Sequence, residues 1–200
     1  MNHQIITINR QFGSGGREVA KRLADELQYA YYDKELIAMI SEKTNLHPDY
    51  IEQFQESAMT RQYSLNFGIT LSMPQSDINC QIQLAQTQII RELGAKQNCI
   101  FVGRCANDIF GERAFKVFIQ CSNINTRIQR CYDKVPTDKS KSVEQIRSEI
   151  LSVDKQRAKY IACYTGQDWF NLSNYNLCID TAKMDIKKAV QLIVKAVEPQ

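Results

Sequence analysis

The sequence predicts an α/β fold with one five-stranded parallel sheet covered by helices on both faces. Three observations carry that expectation. Five short apolar runs, rich in β-branched residues, alternate with segments of helical apolar spacing. Most of these runs are almost continuously apolar, as strands buried on both faces must be. The first run ends in a glycine-rich loop that opens a helix, which is the start of a strand–loop–helix unit.

In chain order, Ile5 to Ile8 is the first strand and leads into Asn9-Arg10-Gln11-Phe12-Gly13-Ser14-Gly15-Gly16. Val19, Ala20, Leu23, Ala24 and Leu27 then share one helical face. Tyr29 to Tyr32 is a second strand ending at Asp33, and Leu36, Ile37 and Ile40 place a helix over Lys34 to Lys43. The stretch from Thr44 to Ser76 is polar and holds Pro48 and Pro74. It carries Phe54, Met59, Tyr63, Leu65, Phe67 and Met73 without a strong period, and it reads as an insert (about 45–76) that covers substrate. A long helix from Ile78 to Gln97 feeds the strand Ile100-Phe101-Val102, which ends at Gly103-Arg104. Ala114 to Gln120 is the fourth strand, and Ser122 is the expected cap of a helix running to Lys134. Pro136 to Ser142 is a polar breaker, within a lid expected at about 135–142. Another long helix spans about Val143 to Tyr164, and Leu177-Cys178-Ile179 is the fifth strand. Thr181 is expected to open the last helix, with Ile186, Val190, Ile193 and Val197 facing inward. The expectation is thus a single domain with core 1–44, 77–134 and 143–200.

Composition narrows the function classes. Apolar residues are 44% and charged residues 24%, which excludes a disordered or fibrous chain. Against 22 acidic residues stand 25 basic ones, and a balance of +3 is too small for general nucleic-acid binding. Seven scattered Cys, without a CxxC, and two His argue against a zinc site or a disulfide framework. The cysteines read as small buried apolar groups, and His3 and His47 as surface residues. Trp169, with Tyr164 and Tyr175, reads as core packing, with adenine stacking as the alternative. There is no apolar window of about 18 residues and no basic-then-apolar leader, so a soluble protein of the reducing cytoplasm with no membrane partner is expected.

Ligands of such sheets sit at the carboxyl ends of the strands. There, Gly13, Ser14, Gly15 and Gly16, with Arg17 and Glu18 in the first helical turn, can converge backbone N–H groups and a helix N-terminus on a phosphate. The pattern GxxxxGK[ST] is not met: Arg10 stands at its first Gly, Gly16 at its Lys and Arg17 at its Ser or Thr. Glu18 takes the hydroxyl position of the variant with the hydroxyl one residue later. The usual point charge is missing, and Arg17 or Arg10 can supply a planar one. The plainer role for Arg17 is a solvated first-turn residue.

The ordered segments ITINRQFGSGGREVAKRLA, YYDKELI, VGRCAND, VFIQCSNINTRIQR and DKQRAKYIACYTG resemble the cytidylate kinase-like family of P-loop proteins, except from about Asn45 to Ile82. The resemblance implies a three-layer P-loop fold with a helical substrate-binding insert and a lid. It also implies transfer of the ATP γ-phosphoryl group, with Mg²⁺, to a nucleoside monophosphate such as cytidylate. Members commonly carry GSGG where cytidylate kinases carry GSGKGT.

Position by position, Gly13 to Arg17 match the phosphate cradle. Asp33 matches the acidic residue near acceptor and metal, or else caps a helix. Arg104 matches the acceptor-phosphate arginine of a GRD motif, with Cys105 in place of its Asp; a salt bridge to Asp108 is its plainer role. Arg127 and Arg130, three apart on one helix, match mobile lid arginines that stabilise the transferring phosphoryl group, or form a solvated basic face with Lys134. Asp154 and Arg157 match the second half of RDxxDxxR, with an i, i+3 salt bridge as the alternative. The implied catalytic set is Arg17, Asp33, Arg127, Arg130 and Arg157, with Asp33, Arg104, Asp154 and Arg157 on the substrate and no side chain assigned as a metal ligand. Two other functions remain open: a non-catalytic nucleotide-binding protein, which the absent lysine favours, and a kinase for another small metabolite.

Overall fold

A computed structural model describes residues 4–57, 75–134 and 141–198. The five apolar runs form strands β1 (Ile5–Arg10), β2 (Ala30–Tyr32), β3 (Cys99–Val102), β4 (Ala114–Gln120) and β5 (Leu177–Asp180). All pair in parallel, in the order β2-β3-β1-β4-β5. The most apolar runs therefore sit centrally, where both faces are covered. β1 runs two residues beyond the expected Ile8. Its pairing with β3 stops at Ile8 opposite Val102, while its pairing with β4 continues to Arg10 opposite Ile119. The extra turn of pleat carries Arg10 past the end of β3, over the carboxyl edge of the sheet.

Alternation along β1 splits the core. Ile6 and Ile8 face α1 (Gly16–Leu27) and α8 (Ile186–Val197), meeting Val19, Leu23, Val190 and Ile193. Ile5 faces the other way, toward Ile40 of α2 (Glu35–Thr44), Ile90 of α4 (Gln75–Lys96) and Phe110 of α5 (Ala106–Phe110). Each such fully buried side chain contributes about 1.5–3 kcal/mol. A third cluster joins Phe118 of β4 to Tyr160 and Ile161 of α7 (Val143–Thr165) and to Trp169. Trp169 is core: it is 2% exposed and meets Phe118 edge-on with ring centroids 5.3 Å apart.

Several local expectations are corrected. Within the stretch from Thr44 to Ser76, α3 (Pro48–Ser57) forms, because Pro48 at its first position gives up no needed N–H and presets φ. Ile51 of that helix is fully buried. Ser122 does not cap α6 (Ile124–Lys134); Asn123 does, its Oδ1 accepting from the amides of Asn125 and Thr126 at 2.9 and 3.3 Å. Thr181 does not open α8. Asp185 caps it, accepting from the amide of Lys188 at 2.8 Å. The cysteines divide: Cys99, Cys105 and Cys121 are buried, whereas Cys80 and Cys163 are exposed. His47 is exposed beside Asp49. His3, residues 58–74 of the expected insert and residues 135–140 of the expected lid lie outside the described residues. Among the described residues no helix is long and apolar enough to cross a membrane.

Candidate functional site

The loop between β1 and α1 is shaped by two left-handed glycines, Gly13 at φ +74° and Gly15 at φ +83°. A Cβ at Gly13 would also lie 2.9 Å from the Arg127 carbonyl oxygen, so a side chain is excluded twice over. The loop carbonyls are drawn outward. Phe12 O accepts from Arg127 Nε at 2.7 Å, and Ser14 O accepts from Arg130 Nη1 at 3.0 Å and Thr181 Oγ1 at 2.7 Å. In a trans peptide the following N–H points opposite to the carbonyl, so the Gly13 and Gly15 amides turn inward. Within the described residues the amides of Gly13, Gly15 and Arg17 make no hydrogen bond to the chain, whereas that of Gly16 donates to Ser14 Oγ at 3.3 Å. Inward amides at the positive end of α1 are an arrangement able to hold an anion.

Arg127 and Arg130 thus hold the loop rather than reach across it. Arg127 is 5% exposed and pairs through Nη2 with Asp154, whose Oδ1 also accepts from the Phe12 amide at 2.7 Å. Arg130 Nη2 donates to Thr181 O at 3.2 Å. Arg127 is buried on these partners, whereas Arg130 also lines the cavity over the loop described next. Glu18 pairs with Arg22 at 2.7 Å along the helix and lines neither of the two cavities described next.

One cavity contains the loop, Arg130, Tyr132 and Lys141; the other contains Lys34, Arg104, Gln156 and Tyr160. Arg10, Phe12, Arg17, Glu149 and Arg157 line both, and mark where two bound molecules would meet. Asp33, 4% exposed, lines neither cavity but pairs with two of the arginines shared by both. Its Oδ2 accepts from Arg17 Nε at 2.5 Å, and its Oδ1 lies 3.5 Å from Arg10 Nη2. Asp33 is no helix cap: Lys34 occupies that position, without a side-chain hydrogen bond. Arg157 donates from Nη1 to the Arg10 carbonyl at 2.8 Å and is 3.9 Å from Asp154. Burial pushes its pKa down to about 10, so it stays cationic at neutral pH.

Arg104 follows β3 in a run of three left-handed residues, Gly103, Arg104 and Cys105, at φ +76°, +60° and +56°. Holding two non-glycine residues there costs on the order of 1–3 kcal/mol each, and such strain gathers at functional sites. Gln86, fully buried, fixes the turn by donating from Nε2 to the Arg104 carbonyl and to Tyr160 Oη, both at 3.1 Å. Gln86, Tyr160 and Thr181 are the site residues that no motif assigned, because each acts through partners distant in sequence.

Among the described residues no side chain is assigned as a direct Mg²⁺ ligand. Arg17 occupies the hydroxyl position, the Asp33 carboxylate is engaged by two guanidinium groups, and no group of three or more metal-ligating side chains exists among the described residues. No step below rests on a protein-held metal.

A central β1 flanked by β3 and β4, with a glycine loop entering α1, defines the α/β fold of the P-loop kinases. The chain belongs to the cytidylate kinase-like family, whose model matches residues 5–183. It is 22% identical over 196 residues to a cytidylate kinase of Haloarcula marismortui, covering 97% of this chain and 89% of that one. Among solved structures, an uncharacterized protein from Eubacterium ventriosum is 24% identical with a TM-score of 0.71, covering 99% of this chain and 100% of the other. Shikimate kinase from Bacteroides thetaiotaomicron shares the fold at 14% identity and a TM-score of 0.58, with 98% and 99% covered. Family membership supports nucleotide-dependent phosphoryl transfer in general, and such kinases generally use ATP and Mg²⁺.

Proposed function

We propose that the protein transfers the γ-phosphoryl group of ATP, taken up as its Mg²⁺ complex, to a nucleoside monophosphate, with cytidylate the first acceptor to test. The observation that carries this reading is the junction of the two cavities. Arg10, Arg17 and Arg157 line both cavities and Arg104 the second, outnumbering the buried carboxylates Asp33 and Asp154 and the half-buried Glu149 beside them. Two phosphorylated ligands meeting there would find guanidinium groups on every side and add to the carboxylates that already face them.

The donor's phosphates lie on the amides of Gly13, Gly15 and Arg17, and the acceptor's phosphate lies against Arg104 in the second cavity. Arg157 faces both cavities, where charge spreads over the transferring oxygens. Asp33 sets the pose of Arg17 and Arg10, while Asp154 positions the Phe12 amide and Arg127. Catalysis then comes from alignment and preorganised charge, with little covalent chemistry asked of the protein. The cytidylate kinase name of the archaeal relative supports the choice of acceptor.

The test is ADP release from MgATP across a panel of nucleoside monophosphates, with shikimate as a non-nucleotide arm. Cytidylate is expected to turn over fastest. Turnover of shikimate alone would favour a metabolite kinase, and tight ATP binding without turnover of any acceptor would favour a non-catalytic nucleotide-binding protein.

A further inference from the structure

We infer that Arg10 supplies the positive charge that a phosphate loop normally draws from its lysine, delivered from the strand side of the loop instead of the helix side. The inference rests on the reading of ATP as donor. In the frame GxxxxGK the glycine and the cation stand at opposite ends; here Arg10 stands at the first position and Gly16 at the last. The two residues have exchanged roles, and the packing shows why they exchange together. A Cβ on Gly16 would collide with Arg10 Cβ, with Arg10 Cγ a further 2.9 Å contact. At the other end of the same side chain, a Cβ on Gly103 would collide with Arg10 Nη1. Gly103, at φ +76°, and Gly16 are the room that Arg10 needs, at its tip and at its root.

The placement suits a phosphate ligand. β1 extends past the last residue it shares with β3, so the Arg10 guanidinium lies over the sheet edge and lines both cavities. Its carbonyl is fixed by Arg157. Its Nη2 has Asp33 at 3.5 Å, a long contact, and its buried Nε has no hydrogen-bond partner among the described residues. Burial and the nearby Arg157, Arg17 and Arg104 disfavour its charge, with Asp33 the opposing influence. A polyphosphate would remove that penalty. Arg17, the other candidate, is committed to Asp33 through Nε at 2.5 Å, and its side chain is 46% exposed.

Calorimetric titration with ATP and with AMP, alongside thermal melting of each variant, tests the assignment. Arg10→Gln is expected to weaken ATP by about tenfold or more while leaving AMP nearly unchanged, because AMP lacks the β- and γ-phosphates. Arg17→Gln should weaken ATP less than Arg10→Gln, and Arg10→Lys should retain most of the affinity. Gly16→Lys alone should lower the melting temperature, whereas Arg10→Gly combined with Gly16→Lys should bind ATP more tightly than Arg10→Gly alone. A strut that merely props the loop predicts no such reciprocal rescue.

Unchanged ATP affinity in Arg10→Gln, equal weakening of ATP and AMP, or a folded double variant no tighter than Arg10→Gly overturns the inference while leaving ATP as donor. If the double variant melts below the assay temperature, Arg10→Lys against Arg10→Gln decides, and equal losses overturn it. Wild-type protein that binds no ATP overturns the donor reading and this inference with it.

Discussion

Arg127 and Arg130 shape the glycine loop through its backbone: each takes one loop carbonyl and thereby aims the next amide. A guanidinium is suited to this, since it donates in several fixed directions and stays charged when buried. Arg104 is different, because its backbone is held in a strained turn while its side chain lines the second cavity, where we propose the acceptor binds. Arg104→Ala is accordingly expected to raise the acceptor's KM by about tenfold or more and the KM of ATP far less; steady-state kinetics with each substrate varied in turn checks this, and equal effects would remove Arg104 from the acceptor side. At this scale the sequence exposed the glycines, Asp33 and the arginines as residue types at strand ends. It could not say which guanidinium meets which partner. Those pairings, Arg127 with Asp154 and Arg17 with Asp33, join residues 27 and 16 positions apart.

Helix and strand boundaries follow short-range chemistry, and there the reading went furthest. Ala114–Gln120 appears as expected, and α7 begins at Val143 after a Ser142–Gln145 capping box. Where two capping residues stand close together, the sequence pointed to Ser122 and Thr181 and the structure uses Asn123 and Asp185. Ser122 and Asn123 are both good caps, and so are Thr181 and Asp185. The tertiary structure takes Thr181 for the Ser14 carbonyl and leaves Asp185 to α8. Asn123→Ala should then destabilise the protein by about 1 kcal/mol and Ser122→Ala by less, read as shifts in urea midpoint; the reverse order would return the cap to Ser122. The two-residue extension of β1 was likewise invisible, since Asn9 and Arg10 are polar and only β4's register keeps them paired.

For the whole molecule, burial sets the alkaline limit of stability. Tyr31 and Tyr164 are pushed from the ordinary 10.0 up to about 12, Tyr160 and Tyr175 are also raised, and desolvation is the leading cause in each. Cys99 and Cys105 rise from 9.0 to about 12 for the same reason. Between pH 9 and 12 the unfolded chain therefore releases these protons while the folded chain keeps them, so stability falls as pH rises. Arg10 and Arg157, lowered by burial, act in the opposite sense but are outnumbered, and Arg157 enters only near pH 10. Melting temperature measured across that range should decline steadily; a flat or rising profile would contradict the assigned burial.

The sequence by itself determined the layers: short, β-branched apolar runs form the buried strands, amphipathic helical segments cover them, and a glycine loop follows the first strand at the carboxyl edge of the sheet. Only the tertiary structure decided the strand order, the outward turn of the loop carbonyls, and the passage of Arg10 between Gly16 and Gly103. The physical reason is range. Periodicity and backbone preference act over a few residues, whereas those three features depend on groups that meet only once the sheet has assembled.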